Sequence, residues 1–461
     1  SAGEDTQRLP TLVTSAAGAY WKTDEALTEV VTGAADVTVN DIALQSWEGF
    51  GGAFNERGWT YLAPLSESDR KRAMELLFGA EGAHFNLGRI PIGASDYALD
   101  SYTLNETPND AAMAHFTISR DLQILIPYVK AALAVRPDIR FWASPWTPPT
   151  WMKRTSQTLP VPSPFDGGSI KGDAATLQSY AQYFVKFVRA YAAQGITIDA
   201  VAPQNEPTNG QNQPACLWDN ATFVSFIGDH LGPAFEAAGL DTQIMLGTMS
   251  HGTYDAAVMN AVLANPTASS YVKMIGLQWS MLDNMATARA TGLPMWQTEH
   301  ICGNCPFSER RCATITQASD QSGAPNDHRY AIESWHNIHE WINAGVSAYN
   351  AWNMVLDQRG LSINKKQLWE QNALLVVDTS ARTLTITPAY YVFRHLSQYV
   401  EPGAKVMATS GGSALAFKNP GGAVVTVMFN AGAARTSVVS VLGRMFSFAM
   451  PESGWATIVA E

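Results

Sequence analysis

The 461-residue chain carries 30 Lys and Arg against 41 Asp and Glu, a formal charge of −11, with an isoelectric point near 5.3. That balance argues against nucleic acid or an anionic membrane surface as the main partner. No uninterrupted apolar run reaches the ~18 residues a membrane span needs, so an integral membrane protein is not expected.

The length suits one large domain with a small one, or two to three average ones. The sequence begins at Ser1 without a Met or a charged-then-apolar leader. An exported protein whose signal peptide has been removed, or a trimmed chain, has that look, and a secreted or periplasmic monomer is the expectation. Cys302-x-x-Cys305 followed by Cys312 could suggest a metal or redox site, but no second Cys-x-x-Cys or His-x-x-x-His accompanies it. Two structural disulfides among Cys216, Cys302, Cys305 and Cys312 are expected instead, with no metal and no cofactor.

Short strands are predicted at Ala19–Lys22, Glu29–Val31 and Val37–Val39. Gln45–Ala53 reads as a strand running into a glycine-rich turn. Its spacing fits neither a dinucleotide fingerprint nor a P-loop. Ser66 has the look of an N-cap, followed by an acidic first turn. Phe85–Ile92 is the next strand, then a helix over 118–135 and a third strand, Ile139–Ser144, ending in Pro145-Trp146-Thr147-Pro148-Pro149. Asp173 caps an amphipathic helix whose buried face is Leu177, Tyr180, Ala181, Phe184, Val188 and Tyr191. Strands four to eight follow at Ile198–Ala202, Gln243–Met249, Val272–Trp279, Leu293–Glu299 and Val346–Met354, with helical stretches between them. Thr222–Ala238 is one of these helices, and Pro388–Tyr399 closes the set. Strand alternating with helix eight times predicts an α/β (β/α)₈ TIM barrel over 44–400. From Ala404 only short strands occur, with a hairpin at Asn419-Pro420-Gly421-Gly422. Residues 1–43 and 401–461 should together build a side all-β sandwich.

Acidic residues at the C-terminal ends of barrel strands are the candidates for chemistry. Glu206 follows strand four in Asn205-Glu206-Pro207, and Pro207 should bias it towards extended backbone. Glu299 follows strand seven, across the barrel mouth. Two carboxyls flanking one bond are what glycoside hydrolysis requires, one protonated to donate to the leaving oxygen and one ionised. Trp146, Trp151, Trp279, Trp296 and Trp352 fall at or just beyond strand ends, where indole faces could pack on pyranose rings. Arg89 and Asp96 bracket the end of strand two, as a salt bridge or as donors and acceptors for sugar hydroxyls. His300 should point away from Glu299, because adjacent strand residues face opposite sides. The sequence has neither a G-x-S-x-G elbow nor an H-E-x-x-H zinc motif. A non-catalytic carbohydrate-binding barrel would leave the paired acids unexplained.

Taken together, the motifs resemble glycoside hydrolase family 30 of clan A. The resemblance rests on Gly49-Phe50-Gly51-Gly52-Ala53, Arg89-Ile90-Pro91 with Ser95-Asp96, the run Ala143–Lys153, Tyr183–Phe187, Asn205-Glu206-Pro207, Thr298-Glu299, Ala351-Trp352-Asn353 and His395–Tyr399. It implies a retaining mechanism, with Glu206 as acid/base, Glu299 as nucleophile and carboxyls about 5–5.5 Å apart. By the same resemblance Asn205 would bond the sugar 2-hydroxyl, and Arg89, Asp96, Trp146 and Trp352 would hold the reacting sugar. In many relatives a Tyr or His near the end of strand six contacts the nucleophile, whereas this chain has Gln278-Trp279-Ser280, with Trp279 a substrate-binding candidate. The Cys-bearing loop Ile301–Cys312 lacks an obvious counterpart in glucosylceramidase and more resembles bacterial members described as glucosylceramidases or β-1,6-glucanases. A β-1,6-linked glucan is the expected substrate, ahead of glucosylceramide-like glucosides, xylan or β-1,6-galactan.

Overall fold

The computed structural model describes residues 8–156, 159, 163–300, 327–366 and 371–461. Eight strands form the centre: β1 (Gly49–Ala53), β2 (Leu87–Pro91), β3 (Arg140–Ser144), β4 (Ile198–Val201), β5 (Gln243–Met249), β6 (Val272–Leu277), β7 (Met295–His300) and β8 (Ala348–Asn353). Each pairs in parallel with the next, and β8 with β1, closing the barrel. Parallel strands covered by helices are buried on both faces. β1, β2, β7 and β8 accordingly bury every residue, and β5 all but Gln243. Inside, Leu87, Trp142, Met245, Met274 and Trp296 fill the lumen, so the barrel is a packed core with its chemistry at one end.

Local signals explain the helices. Ser66 caps Glu67–Phe78 by accepting from the Asp69 N–H, and Asp173 caps Ala174–Ala193 by accepting from the Thr176 N–H. Thr222–Ala238 is not one regular helix. Asn220–Ser225 runs into a widened π turn, Phe226–Leu231, before Gly232–Ala237. Pro233 has no N–H to give to the preceding turn, and the widening falls immediately before it. The glycine-rich stretch is no turn but β1 itself. A Cβ on Gly51 would lie 2.2 Å from the Leu87 carbonyl oxygen, so the glycines are there for close approach of β1 to β2.

Both termini build the side domain, as expected. Among the described residues ten strands form one hydrogen-bonded sheet, with Thr11–Ala16, Ala19–Lys22, Thr28–Val30 and Val37–Ser46 from the N-terminal side. The remaining six run from Lys405 to Ala460. Val37–Ser46 pairs with Lys405–Gly411 on one edge and Arg435–Val441 on the other. The sheet wraps a second core that includes Leu12, Val39, Met428, Val439, Phe446 and Ile458. Thr11–Ala16 and the small sheet Val355–Asp357, Leu375–Asp378 and Thr383–Ile386 carry no expectation from the sequence.

The closing helix Pro388–Ser397 joins the two domains. Buried His395 lies 2.6 Å from Ser15 Oγ and 2.8 Å from Thr457 Oγ1, both on strands of the side sheet. Among the described residues Cys216 is a buried free thiol. Cys302, Cys305 and Cys312 lie outside the described residues. Among the described residues no helix is long and apolar enough to cross a membrane.

Candidate active site

Glu206 and Glu299 line one cavity of about 290 Å³ at the C-terminal mouth of the barrel. Asp96, Trp146, Asn205, Trp279 and Trp352 line it too. Of the candidates expected from the sequence, Arg89, Trp151 and Trp296 are missing from this wall, and Arg89 is bonded to Glu299 and Asn205, which line it.

The backbone at Glu206 departs from the expectation of extended geometry. Its φ is +51°, in the left-handed region. Holding a non-glycine residue there costs about 1–3 kcal/mol. Two neighbours hold it. Its N–H donates to Thr248 O at 2.9 Å, and its carbonyl accepts from the Asn209 N–H at 3.1 Å. Trp279 shares this conformation, with φ +49°. The carboxyl of Glu206 accepts from Asn209 Nδ2 (3.1 Å) and Gln211 Nε2 (3.2 Å) on Oε2, and from Gln278 Nε2 (3.4 Å) on Oε1. Burial, reinforced by the nearby charge of Glu299, pushes its pKa up to about 7.

Glu299 has different neighbours. Its Oε1 accepts from Arg89 Nη1 at 2.7 Å and its Oε2 from the Trp279 indole N–H at 2.6 Å. Each oxygen thus has a donor, one of them charged, which fixes the plane of the carboxylate and complements its charge. Trp279 reaches Glu299 from the cavity wall, its own left-handed backbone turning it inward.

Arg89 makes its ion pair with Glu299, not with Asp96, and at 1 % exposure it does not itself line the cavity. Its Nη2 donates to Asn205 Oδ1 at 2.8 Å and its Nε to Ser144 Oγ at 3.1 Å. The guanidinium carbon sits 4.5 Å from the Trp146 ring centre and 5.3 Å from that of Trp352. The two indoles stack with their centres 5.5 Å apart. A cation over aromatic faces is attracted by their negative ring potential. Burial lowers the Arg89 pKa from its ordinary value, and the Glu299 charge opposes that. Asp96 is driven well above the usual carboxylate range, first by burial and then by Glu299.

Asn205 Oδ1 takes three donors, from Arg89, Thr248 Oγ1 (2.9 Å) and Gln278 Nε2 (3.3 Å). Its Oδ1 is thereby committed, and the amide nitrogen is left to serve a ligand in the cavity it lines. Gln278 is fully buried and ties the site together, receiving Thr298 Oγ1 at 2.8 Å while reaching both Asn205 and Glu206. Sequence reasoning missed Gln278, whose only signal was its position at the end of strand six.

Two of the five tryptophans belong elsewhere. Trp296 lies three residues before Glu299 on the same strand. At the rise of an extended chain that offset is about 10 Å along the strand. Its indole donates to Glu48 Oε2 at 2.7 Å near the barrel floor. Trp151 donates to Asn105 O at 3.1 Å and does not line the cavity. His300 turns outward, as expected, against Tyr349 and Ser334. Burial lowers its pKa to about 3, which keeps the ring neutral. Among the described residues no group of three or more His, Cys, Asp or Glu could hold a metal ion.

Comparison with known proteins agrees with this geometry. The family described as "Glycosyl hydrolase family 30 TIM-barrel domain" matches residues 47–400. Lysosomal acid glucosylceramidase of Mus musculus is 28 % identical over 409 residues, 84 % of this chain and 75 % of that protein. Endo-1,6-beta-D-glucanase of Neurospora crassa is 27 % identical over 382 residues, 80 % of this chain and 73 % of that protein. Among solved structures, "The endo-beta1,6-glucanase BT3312" superposes with a TM-score of 0.82 at 25 % identity, covering 98 % of this chain and 99 % of that one. The chain therefore belongs to glycosyl hydrolase family 30 and is a glycoside hydrolase.

Proposed function

We propose that the chain is a retaining β-glycosidase acting on β-1,6-linked glucan, with Glu206 as general acid/base and Glu299 as nucleophile. The observation that carries this reading is the asymmetry of two carboxyls in one cavity. Glu206 is buried with a pKa raised to about 7, while Glu299 is clasped by Arg89 and Trp279. One acid that keeps its proton and one carboxylate held for attack are the parts double displacement needs.

In the first step Glu299 attacks the anomeric carbon while Glu206 passes its proton to the departing glycosidic oxygen. The resulting ester removes the charge of Glu299, one of the two main causes of the raised pKa at Glu206. The Glu206 pKa then falls, so the carboxyl that gave up its proton stays ionised and ready to take one from water in the second step. Asn205 offers its amide to the 2-hydroxyl, where charge development strengthens the bond. Asp96, Trp146 and Trp352 form the wall for the rest of the reacting sugar.

The acid must be protonated to work, so kcat/KM for a sugar leaving group should fall tenfold per pH unit above about 7. A pH profile whose alkaline limb lies below about 5 contradicts Glu206 in that role. Trp279→Phe removes the N–H on Glu299 and keeps an aromatic ring. A hydrogen bond to a charged group is worth about 1.5–3 kcal/mol, so kcat should drop roughly 10–100-fold. An unchanged kcat with a raised KM would make Trp279 a sugar platform only.

The β-1,6-glucan reading is supported by the likeness to the glucanase structure over nearly the full length of both chains. A second reading, glucosylceramide-like glucosides, is favoured by the match to the mouse glucosylceramidase. Incubation with defined β-glucans, xylan and glucosylceramide, followed by product sizing, decides between them.

A further inference from the structure

The cavity continues beyond Glu206 towards a part of the surface that the reacting sugar does not need. A general acid must reach the leaving oxygen, so the departing half of the substrate lies on the Glu206 side. Asn209 and Gln211, which bond the Glu206 carboxyl, line that side together with Ser250 and His251. Behind His251 stands Tyr254, with ring centres 5.0 Å apart and planes 31° apart. Tyr254 is 66 % exposed.

A single exposed aromatic normally needs no explanation. This one is fixed in place relative to the acid. Asp255 is fully buried, and its Oδ2 accepts from the N–H groups of Ser250 (2.6 Å) and His251 (2.8 Å). Its Oδ1 accepts from the N–H (3.1 Å) and the hydroxyl (2.5 Å) of Thr208, two residues after Glu206. One carboxyl group therefore locks the loop after β5 to the loop after β4. His251 Nδ1 lies 3.3 Å from Thr208 Oγ1, which leaves Nε2 available to a ligand. The result is a polar ring edge at the cavity and an uncovered aromatic face beyond it, both held in register with Glu206.

We propose that His251 and Tyr254 form a subsite for the leaving chain of an oligosaccharide. His251 bonds a hydroxyl of the first departing glucosyl unit, and the Tyr254 ring covers the apolar C–H face of the second. The inference rests on the glycosidase reading above and deepens it, because it makes the substrate a chain of at least three sugars rather than a glucoside with a small aglycone.

The test compares β-glucosyl fluoride, β-1,6-linked glucobiose and β-1,6-linked glucotriose with the wild type, Tyr254→Ala and Tyr254→Phe. Loss of an aromatic contact on the second departing unit is read as a change in preference for the longer substrate. The kcat/KM ratio of trisaccharide to fluoride should fall about tenfold in Tyr254→Ala. In Tyr254→Phe it should stay within about twofold of wild type, and the disaccharide ratio should move little in either variant. An unchanged trisaccharide ratio, or an equal loss on disaccharide and trisaccharide, overturns the subsite. A wild type that cleaves the fluoride but not the trisaccharide also overturns it, while leaving the glycosidase reading intact. A wild type that cleaves none of the three overturns the reading beneath it.

Discussion

Glu299→Gln should lower kcat by roughly 10⁴-fold or more on every β-glucoside, because losing the nucleophile of a covalent mechanism leaves only binding and electrostatic contributions. The variant keeps the shape of the side chain but presents one carbonyl oxygen where the wild type presents two acceptors. Arg89 and Trp279 both donate at this position, so one of them must face an amide N–H₂. The buried guanidinium also loses the counter-charge that Glu299 supplies. Removing one member of a buried pair costs about 3–5 kcal/mol. Thermal unfolding should therefore move down together with activity. Sugar binding, measured by calorimetry on the folded variant, should survive, since Asp96, Asn205, Trp146 and Trp352 remain. Near wild-type turnover would remove Glu299 from its role.

Glu206→Ala should have an effect that depends on the leaving group. With a sugar leaving group the missing proton costs about 10²–10⁴-fold. With a dinitrophenyl group, which departs without help, formation of the glycosyl ester should be nearly unaffected, and hydrolysis of that ester becomes slow. Azide needs no base to attack it and fits the space the carboxyl vacates. Added azide should restore turnover and yield a glycosyl azide of β configuration, because two inversions restore the starting stereochemistry. An α azide, or no rescue on any activated substrate, would remove Glu206 from the acid/base position. The backbone φ of +51° at this position is as unfavourable for alanine, which keeps the Cβ, so the substitution does not relieve it.

The barrel was legible because its strands carry the signature of two buried faces and its helices carry ordinary caps, as at Ser66 and Asp173. Glu206 and Glu299 were legible because strand ends at one side of such a barrel point to a common mouth. What depends on side-chain direction was not. Trp296 shares a strand with Glu299, yet a three-residue offset puts it a layer lower, and composition cannot register depth. Left-handed backbone at Glu206, directly before a proline, runs against the local preference and is imposed by the neighbouring strand through Thr248. Gln278 looked like an ordinary amide at a strand end. Only the folded barrel shows that it joins Thr298, Asn205 and Glu206. The Arg89 ion pair with Glu299 spans 210 residues of sequence and had no local trace.

The most direct measurement is covalent trapping. The wild-type enzyme is incubated with an activated 2-deoxy-2-fluoro-β-glucoside, which forms the glycosyl ester quickly and releases it slowly, and the labelled peptide is mapped by mass spectrometry. One fluoroglucosyl group on Glu299, with none on Glu299→Gln, is the expected result. A label on another carboxylate, or turnover with an inverted product and no label, would show that these two acids do not divide the work in this way.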